Sequence, residues 1–501
     1  MNIFQFCLTL SLIFSGYLSA QEEAVQEQPA IIEKVLAENA SITAQGQKLV
    51  YDVHGGSITL KGKDPNETAA IHFIAYFVKS PLQKMSRPIA FCFNGGPGSS
   101  SVWLHMGFLG PKIISTPLPQ IPGVSCYHDN PVSLLSVCDL VFIDPVATGF
   151  SKASDEKSER NFFGVEEDIR SAADFVQLFL TKFQRWQSPK LIIGESYGTA
   201  RAVGLAHLLQ NEYFLNIDGL ILISLALDFP TPEQNPTNDL SNMLHLPTFA
   251  VIAQYHKKLG KHYSEMSVKE LAEAASAFSA TEYGPALFSG SQLPAKTKES
   301  IAQRLAEFTS LPSAFFISHN LRCGPFQFRK KLFKETSSVV GRFDGRMMTW
   351  DPLSSSGHEG IDPSFFFVTS PFTCAINDYL AKDLKWNKQE PYLILNCDAL
   401  RFWNWHSTSR CGFRDTSFLQ DLRMSLAKNP NLKVFVAAGY YDLATPFFAQ
   451  QYTLNHLFVP ERQSKNISFK VYETGHMIYL DEKPRKELSA DLSQFVKLLS
   501  E

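Results

Sequence analysis

Residues 46 to 79 alternate apolar and polar positions. KLVYDVHGGSITLKG predicts two short strands around a Gly-Gly turn, and AAIHFIAYFVKS continues the alternation. Past Pro88 the pattern changes. PIAFCF and DLVFIDP are short apolar runs that predict buried strands. Between Glu166 and Phe183, Ile169, Ala172, Ala173, Val176, Phe179, Leu180 and Phe183 recur at helical spacing. KLIIG predicts the next strand, Tyr197 to Leu209 a helix, and GLILISLAL another strand. Strands alternating with helices predict a mostly parallel sheet covered on both faces. The pattern breaks near Pro230, in FPTPEQNPTNDLSN, and helical stretches with Gly- and Ser-rich loops run to about residue 385. It then resumes with helix-like DTSFLQDLRMSLAKN, strand LKVFVAAG, a helix after Pro446, strand ISFKVYE and a final helix from Lys486.

These patterns predict a core in two parts, 46–229 and 386–501, around a mostly helical insertion at 230–385. Residues 21–45 read as a polar leader, either mobile or a short helix. Residues 1–20, MNIFQFCLTLSLIFSGYLSA, are apolar from Ile3 to Leu18 and end in small residues. They predict a signal peptide cut after Ala20, although the n-region has no Lys or Arg and Leu18 stands at the −3 position. Export to a secreted or periplasmic location follows, or to a vacuolar or lysosomal type of compartment in a eukaryote. No later run is long and apolar enough to span a bilayer.

Composition narrows the classes. The chain has 501 residues, 45 % of them hydrophobic, and a formal net charge of −3. That is enough for a large core and gives no electrostatic reason to expect nucleic acid. Of its eight cysteines, Cys7 lies in the leader, so an odd number remains after cleavage. Cys126 with Cys138 and Cys397 with Cys411 are the nearest pairs in sequence, and connectivity stays open. Neither CxxC nor HExxH occurs, so no metal site is expected.

The chemistry centres on GESYGT, Gly194 to Thr199, between a predicted strand and a predicted helix. GxSxG in that setting is a nucleophile elbow, which lifts the Ser196 hydroxyl above the sheet edge. A serine at neutral pH needs a base, and the base needs an orienting carboxylate. In doubly wound hydrolases the order is Ser, Asp or Glu, His, each partner just after a strand. Asp442 follows LKVFVAAG and His476 follows ISFKVYE, which fits both order and placement.

With NGGPGSSS at 94–101, GP at 110–111, IDPVATGFS at 143–151, GESYGT at 194–199, the Asp442 loop and GHMIYLD at 475–481, the sequence resembles the serine carboxypeptidase family of α/β-hydrolases. The motifs spread from about residue 45 to the end. The resemblance implies an exopeptidase that releases C-terminal residues through an acyl-enzyme on Ser196, with Asp442 and His476, and with no cofactor. It implies oxyanion-hole amides at Gly96 and Tyr197. It implies that Asn94, Gly95, Glu195 and Met477 contact the substrate. None of the three serines at 99–101 is then the nucleophile.

There are departures. Ser99 stands where the family usually has Cys, and Phe91 and Phe93 lie where it usually has Trp. Tyr479 stands where it has Pro. Phe108 replaces a Glu that in the family shares a proton with the acid before the nucleophile, here Glu195. That replacement motivates an alternative: an esterase, amidase or acyltransferase on the same fold. An inactive fold used for binding is a third reading, against which the intact Ser, Asp and His stand.

Overall fold

The computed structural model describes residues 30–499 apart from 63–66, 80–86, 116–126, 230, 233–236, 358–359, 387–388 and 406–416. The expected signal peptide, Cys126 and Cys411 lie outside the described residues. Strands β1 (Ile31–Ala44), β2 (Gln47–Lys61), β3 (Thr68–Val78) and β4 (Ile89–Phe93) begin the chain. β5 (Lys112–Ile114) and β6 (Tyr127–Asp129) pair with each other apart from the main sheet. β7 (Asp139–Ile143), β8 (Lys152–Ala153), β9 (Lys190–Glu195) and β10 (Gly219–Ile223) follow. β11 (Ser338–Val340) and β12 (Met348–Trp350) form a small hairpin, and β13 (Lys433–Gly439) and β14 (Ile467–Tyr472) complete the set.

The main sheet has the order β1-β2-β3-β7-β4-β9-β10-β13-β14, with β8 against β3. From β7 to β14 all neighbours are parallel, and β1, β2, β3 and β7 are antiparallel to one another in turn. Every residue of β4, β7, β9 and β10 is buried. This is why these segments read as unbroken apolar runs rather than as alternation. Helices Val165–Lys182, Tyr197–Glu212 and Leu419–Lys428 cover one face, with Phe175 and Phe179 packed on Phe73 of β3. Helices Pro363–Lys382 and Glu482–Lys497 cover the other. The helices between Asp239 and Lys331 enclose a third core of their own, which reaches the sheet at Ala438 and the loop at Tyr441 and Leu443.

Two sequence expectations are corrected. Residues 31–44, expected within a polar leader, form β1, a 14-residue antiparallel partner of β2. β1 is an edge strand with no buried residue from Ile31 to Ser41, and register shifts between Val35 and Ala40 break its alternation, so it leaves no period-two signal. KLVYDVHGGSITLKG is not two strands but one, of 15 residues, with Gly55 and Gly56 inside it. A Cβ at Gly55 would come within 2.2 Å of the Trp386 ring, and one at Gly56 within 2.0 Å of the Ile32 carbonyl. These glycines therefore admit close neighbours and make no turn. The hairpin turn lies earlier, at Gln45 and Gly46, both with positive φ.

Candidate active site

Three strand ends build the site. β9 ends at Glu195, and Ser196 follows with φ 58° and ψ −129°, at the start of helix Tyr197–Glu212. The turn is tight enough that a Cβ at Gly194 would meet the Gly198 carbonyl oxygen at 2.1 Å. Ser196 keeps its place through its amide, which donates to Ile223 O at 2.9 Å. It is half-buried, whereas all its neighbours from Leu191 to Ala200 are buried. A hydroxyl raised from a buried turn at a helix N-terminus sits where partial positive charge is concentrated.

β13 leads into Asp442 and β14 into His476. His476 Nδ1 lies 2.7 Å from Asp442 Oδ2, with both residues buried. Asp442 Oδ1 accepts the amides of Ala444 (2.7 Å) and Thr445 (3.0 Å), and Oδ2 accepts the Thr445 hydroxyl at 2.6 Å. Burial pushes the Asp442 carboxyl up, but the His476 charge and these hydrogen bonds outweigh it and hold it below the usual range. Burial disfavours the His476 imidazolium, yet the Asp442 charge and hydrogen bond, with a contribution from Glu195, raise its pKa above the ordinary value. The Ser224 hydroxyl donates to His476 O at 2.7 Å, next to the Ile223 carbonyl that holds the Ser196 amide. Ser196 and His476 are thus fixed from adjacent residues of one strand end.

The loop after β4 closes over the elbow. Gly198 has no room for a Cβ, which would stand 2.8 Å from Phe93 O, and a Cβ at Gly95 would stand 2.6 Å from the Tyr197 amide nitrogen. Gly96, with φ 104°, is the one exposed residue between Phe91 and Ser100. Asn94 is buried; its side chain donates to Glu195 Oε2 at 2.8 Å and accepts from Leu104 N at 3.0 Å. Its carbonyl accepts from Arg201, itself buried and paired with Asp168 at 2.7 Å. The three serines are structural: Ser99 N bonds Gly95 O, Ser100 N bonds Ile394 O, and Ser101 Oγ donates to Asp144 at 2.8 Å. Met477 is buried in the core on one face of the sheet.

The structure therefore brings Ser196, Asp442, His476, Asn94, Gly95, Gly96, Glu195 and Tyr197 to one edge of the sheet. It also adds residues that sequence reasoning missed. Thr445, three residues after Asp442, supports the carboxylate. Phe343, from the insertion, places its ring 4.8 Å from that of His476 and its carbonyl 2.6 Å from the His476 amide. Gly345 N donates to Tyr441 O, and Leu443 N donates to Arg342 O, each at 2.9 Å. The segment GRFDGR, 341–346, belongs to no motif that places it at the site, so its sequence alone did not point to this contact.

Comparison with known proteins agrees with this architecture. Residues 54–228 match the family model for serine carboxypeptidase. Serine carboxypeptidase-like 38 of Arabidopsis thaliana is 29 % identical over 216 residues, covering 40 % of this chain and 41 % of that protein. The lysosomal protective protein of Mus musculus is 30 % identical over 192 residues, 38 % of this chain and 36 % of its own length. The chain thus aligns with less than half the length of these relatives, and the family match stops well before Asp442 and His476. The crystal structure of a prohormone-processing carboxypeptidase from Saccharomyces cerevisiae aligns with 90 % of this chain and 91 % of its own at a TM-score of 0.55 and 17 % identity, a likeness of fold. The motif-bearing first part of the core, residues 54–228, is similar to the serine carboxypeptidase family, and the fold of the whole is that of an α/β-hydrolase.

Proposed function

We propose that the protein is a serine-type carboxypeptidase that releases C-terminal residues from peptides through an acyl-enzyme on Ser196. The observation that carries this reading is a half-buried serine with φ 58° on a buried elbow, held from the same strand end as a buried Asp442–His476 pair. In this reading Ser196 Oγ attacks the scissile carbonyl and His476 takes its proton. His476 then gives that proton to the leaving amine, and water hydrolyses the ester by the same route. Asp442 orients the ring and balances the imidazolium. The exposed Gly96 amide and the Tyr197 amide receive the developing oxyanion. In this reading Asn94, Gly95 and Glu195 line the end that receives the terminal residue, whereas Met477 is packed in the core.

Secretion is part of the proposal and rests on residues 1–20. Among the described residues no helix is long and apolar enough to cross a membrane.

A second reading is favoured by one observation: Phe108, fully buried, occupies the family's acidic position. It makes the protein an esterase, amidase or acyltransferase with the same nucleophile. The deciding experiment compares one peptide with a free and with an amidated C-terminus, using wild type and Ser196→Ala. Release of the terminal residue from the free peptide, lost in Ser196→Ala with folding intact, is expected. Preference for the amidated or an esterified end refutes the carboxypeptidase reading, and full activity in Ser196→Ala refutes both.

A further inference from the structure

Tyr479 and Phe108 are separate departures from the family's motifs, and the structure puts them in contact. Their rings are parallel within 3°, with centroids 5.7 Å apart, and both are buried. A Cβ at Gly107 would come within 2.6 Å of the Tyr479 ring, so the ring is confined by two consecutive residues of one segment. Thus held, the Tyr479 hydroxyl donates to Glu195 Oε2 at 2.7 Å. Asn94 Nδ2 donates to the same oxygen, and Oε1 has no partner among the described residues. Glu195 is 2 % exposed and immediately precedes Ser196.

We propose that Tyr479, clamped by Phe108, is the residue that sets the proton on Glu195: it occupies Oε2 as a donor, so that Oε1 carries the acid proton and presents it to the free C-terminal carboxylate of a peptide. This rests on the carboxypeptidase reading. A phenol differs from a second carboxyl in bringing no charge. Burial and Glu195 push the Tyr479 hydroxyl far above its ordinary value, so it stays neutral. Glu195 then titrates as a single acid rather than as half of a proton-sharing pair. Burial raises it to about 7; the His476 charge and the Tyr479 and Asn94 hydrogen bonds work against that rise, and Asp442 adds to it. The other charged groups nearby, Arg201 and Asp168, are paired with each other.

The Tyr479→Phe variant keeps the stacked ring and removes the donor. A hydrogen bond to an ionised carboxylate favours the anion, so its loss moves Glu195 upward by roughly one pH unit. Glu195 is followed by the infrared C=O band of its protonated carboxyl, assigned by its absence in Glu195→Gln. The pH dependence of KM for a peptide with a free C-terminus gives the second readout. Both midpoints are expected to rise in Tyr479→Phe. The pH profile of Ser196 labelling by a fluorophosphonate, which has no carboxylate to bind, is expected to move far less. An unmoved band overturns the proposal, as does a labelling profile that shifts as much as the band, since that marks general loosening of the site. If the band shifts while KM ignores it, the carboxypeptidase reading fails and takes the substrate assignment with it, while the role of Tyr479 toward the Glu195 proton stands.

Discussion

Replacing Glu195 by Gln isolates the cost of holding a carboxyl in this site. Gln is isosteric, and its carbonyl can accept from Asn94 and Tyr479 as Oε2 does. The folded chain raises Glu195 from 4.5 to about 7, with burial the largest cause. Between those values the native state holds a proton that the unfolded chain has released. The stability contributed by this group is therefore fully present below the unfolded pKa and is lost as pH rises through the folded one. At about 1.4 kcal/mol per pH unit, the loss amounts to about 3 kcal/mol. Gln does not titrate and escapes it. Denaturant unfolding of both proteins, in steps from about pH 4 to about pH 8.5, measures the difference. The His476 pKa is also raised, which gives a slope of the same sign in both proteins, so comparing the two cancels most of it. Expected is a stability gap that grows in favour of Gln as the pH rises, by about 3 kcal/mol in total. Parallel curves would refute the reasoning, because they would mean that Glu195 has the same pKa in the folded and the unfolded chain. A gap that closes with rising pH would reverse its sign.

Two substitutions test the rest of the geometry. Gly95→Ala drives a methyl to 2.6 Å from the Tyr197 nitrogen, so kcat should fall roughly 100-fold while circular dichroism stays unchanged; unaltered kcat would remove Tyr197 from the oxyanion site. Thr445→Val removes the hydroxyl 2.6 Å from Asp442 Oδ2, so Asp442 should become easier to protonate and kcat/KM should drop roughly tenfold, most at acid pH. An activity loss uniform across pH would show that Thr445 serves packing alone.

Much of the core was readable because burial on both faces leaves an unmistakable trace. IAFCF, GLILI and the LII of KLIIG are unbroken apolar runs because helices cover both sides, and each proved a central strand. The order Ser196, Asp442, His476 was readable because each follows a strand, although β14, before His476, is an edge strand that alternates rather than an apolar run. β1 was not readable, because register shifts between Val35 and Ala40 break the alternation that marks a half-exposed strand. Gly55 and Gly56 were misread because glycine marks both turns and close approaches, and the deciding neighbour, Trp386, lies far along the chain. The Phe108–Tyr479 contact was out of reach for the same reason. Each departure was visible alone, but a stacked pair from two distant segments leaves no periodic signal.

The bonds from Arg342, Phe343 and Gly345 to Tyr441, Leu443 and His476 bear on how this protein can be altered. The insertion cannot be exchanged as a removable cover chosen for its substrate preference. Its segment 342–345 is a splint laid across the two loops that carry Asp442 and His476. A graft that brings new pocket walls but loses those backbone bonds would unfasten the Asp442 loop from the His476 loop. Any transplant of specificity into this scaffold therefore has to cut the chain outside the splint and leave its backbone in register.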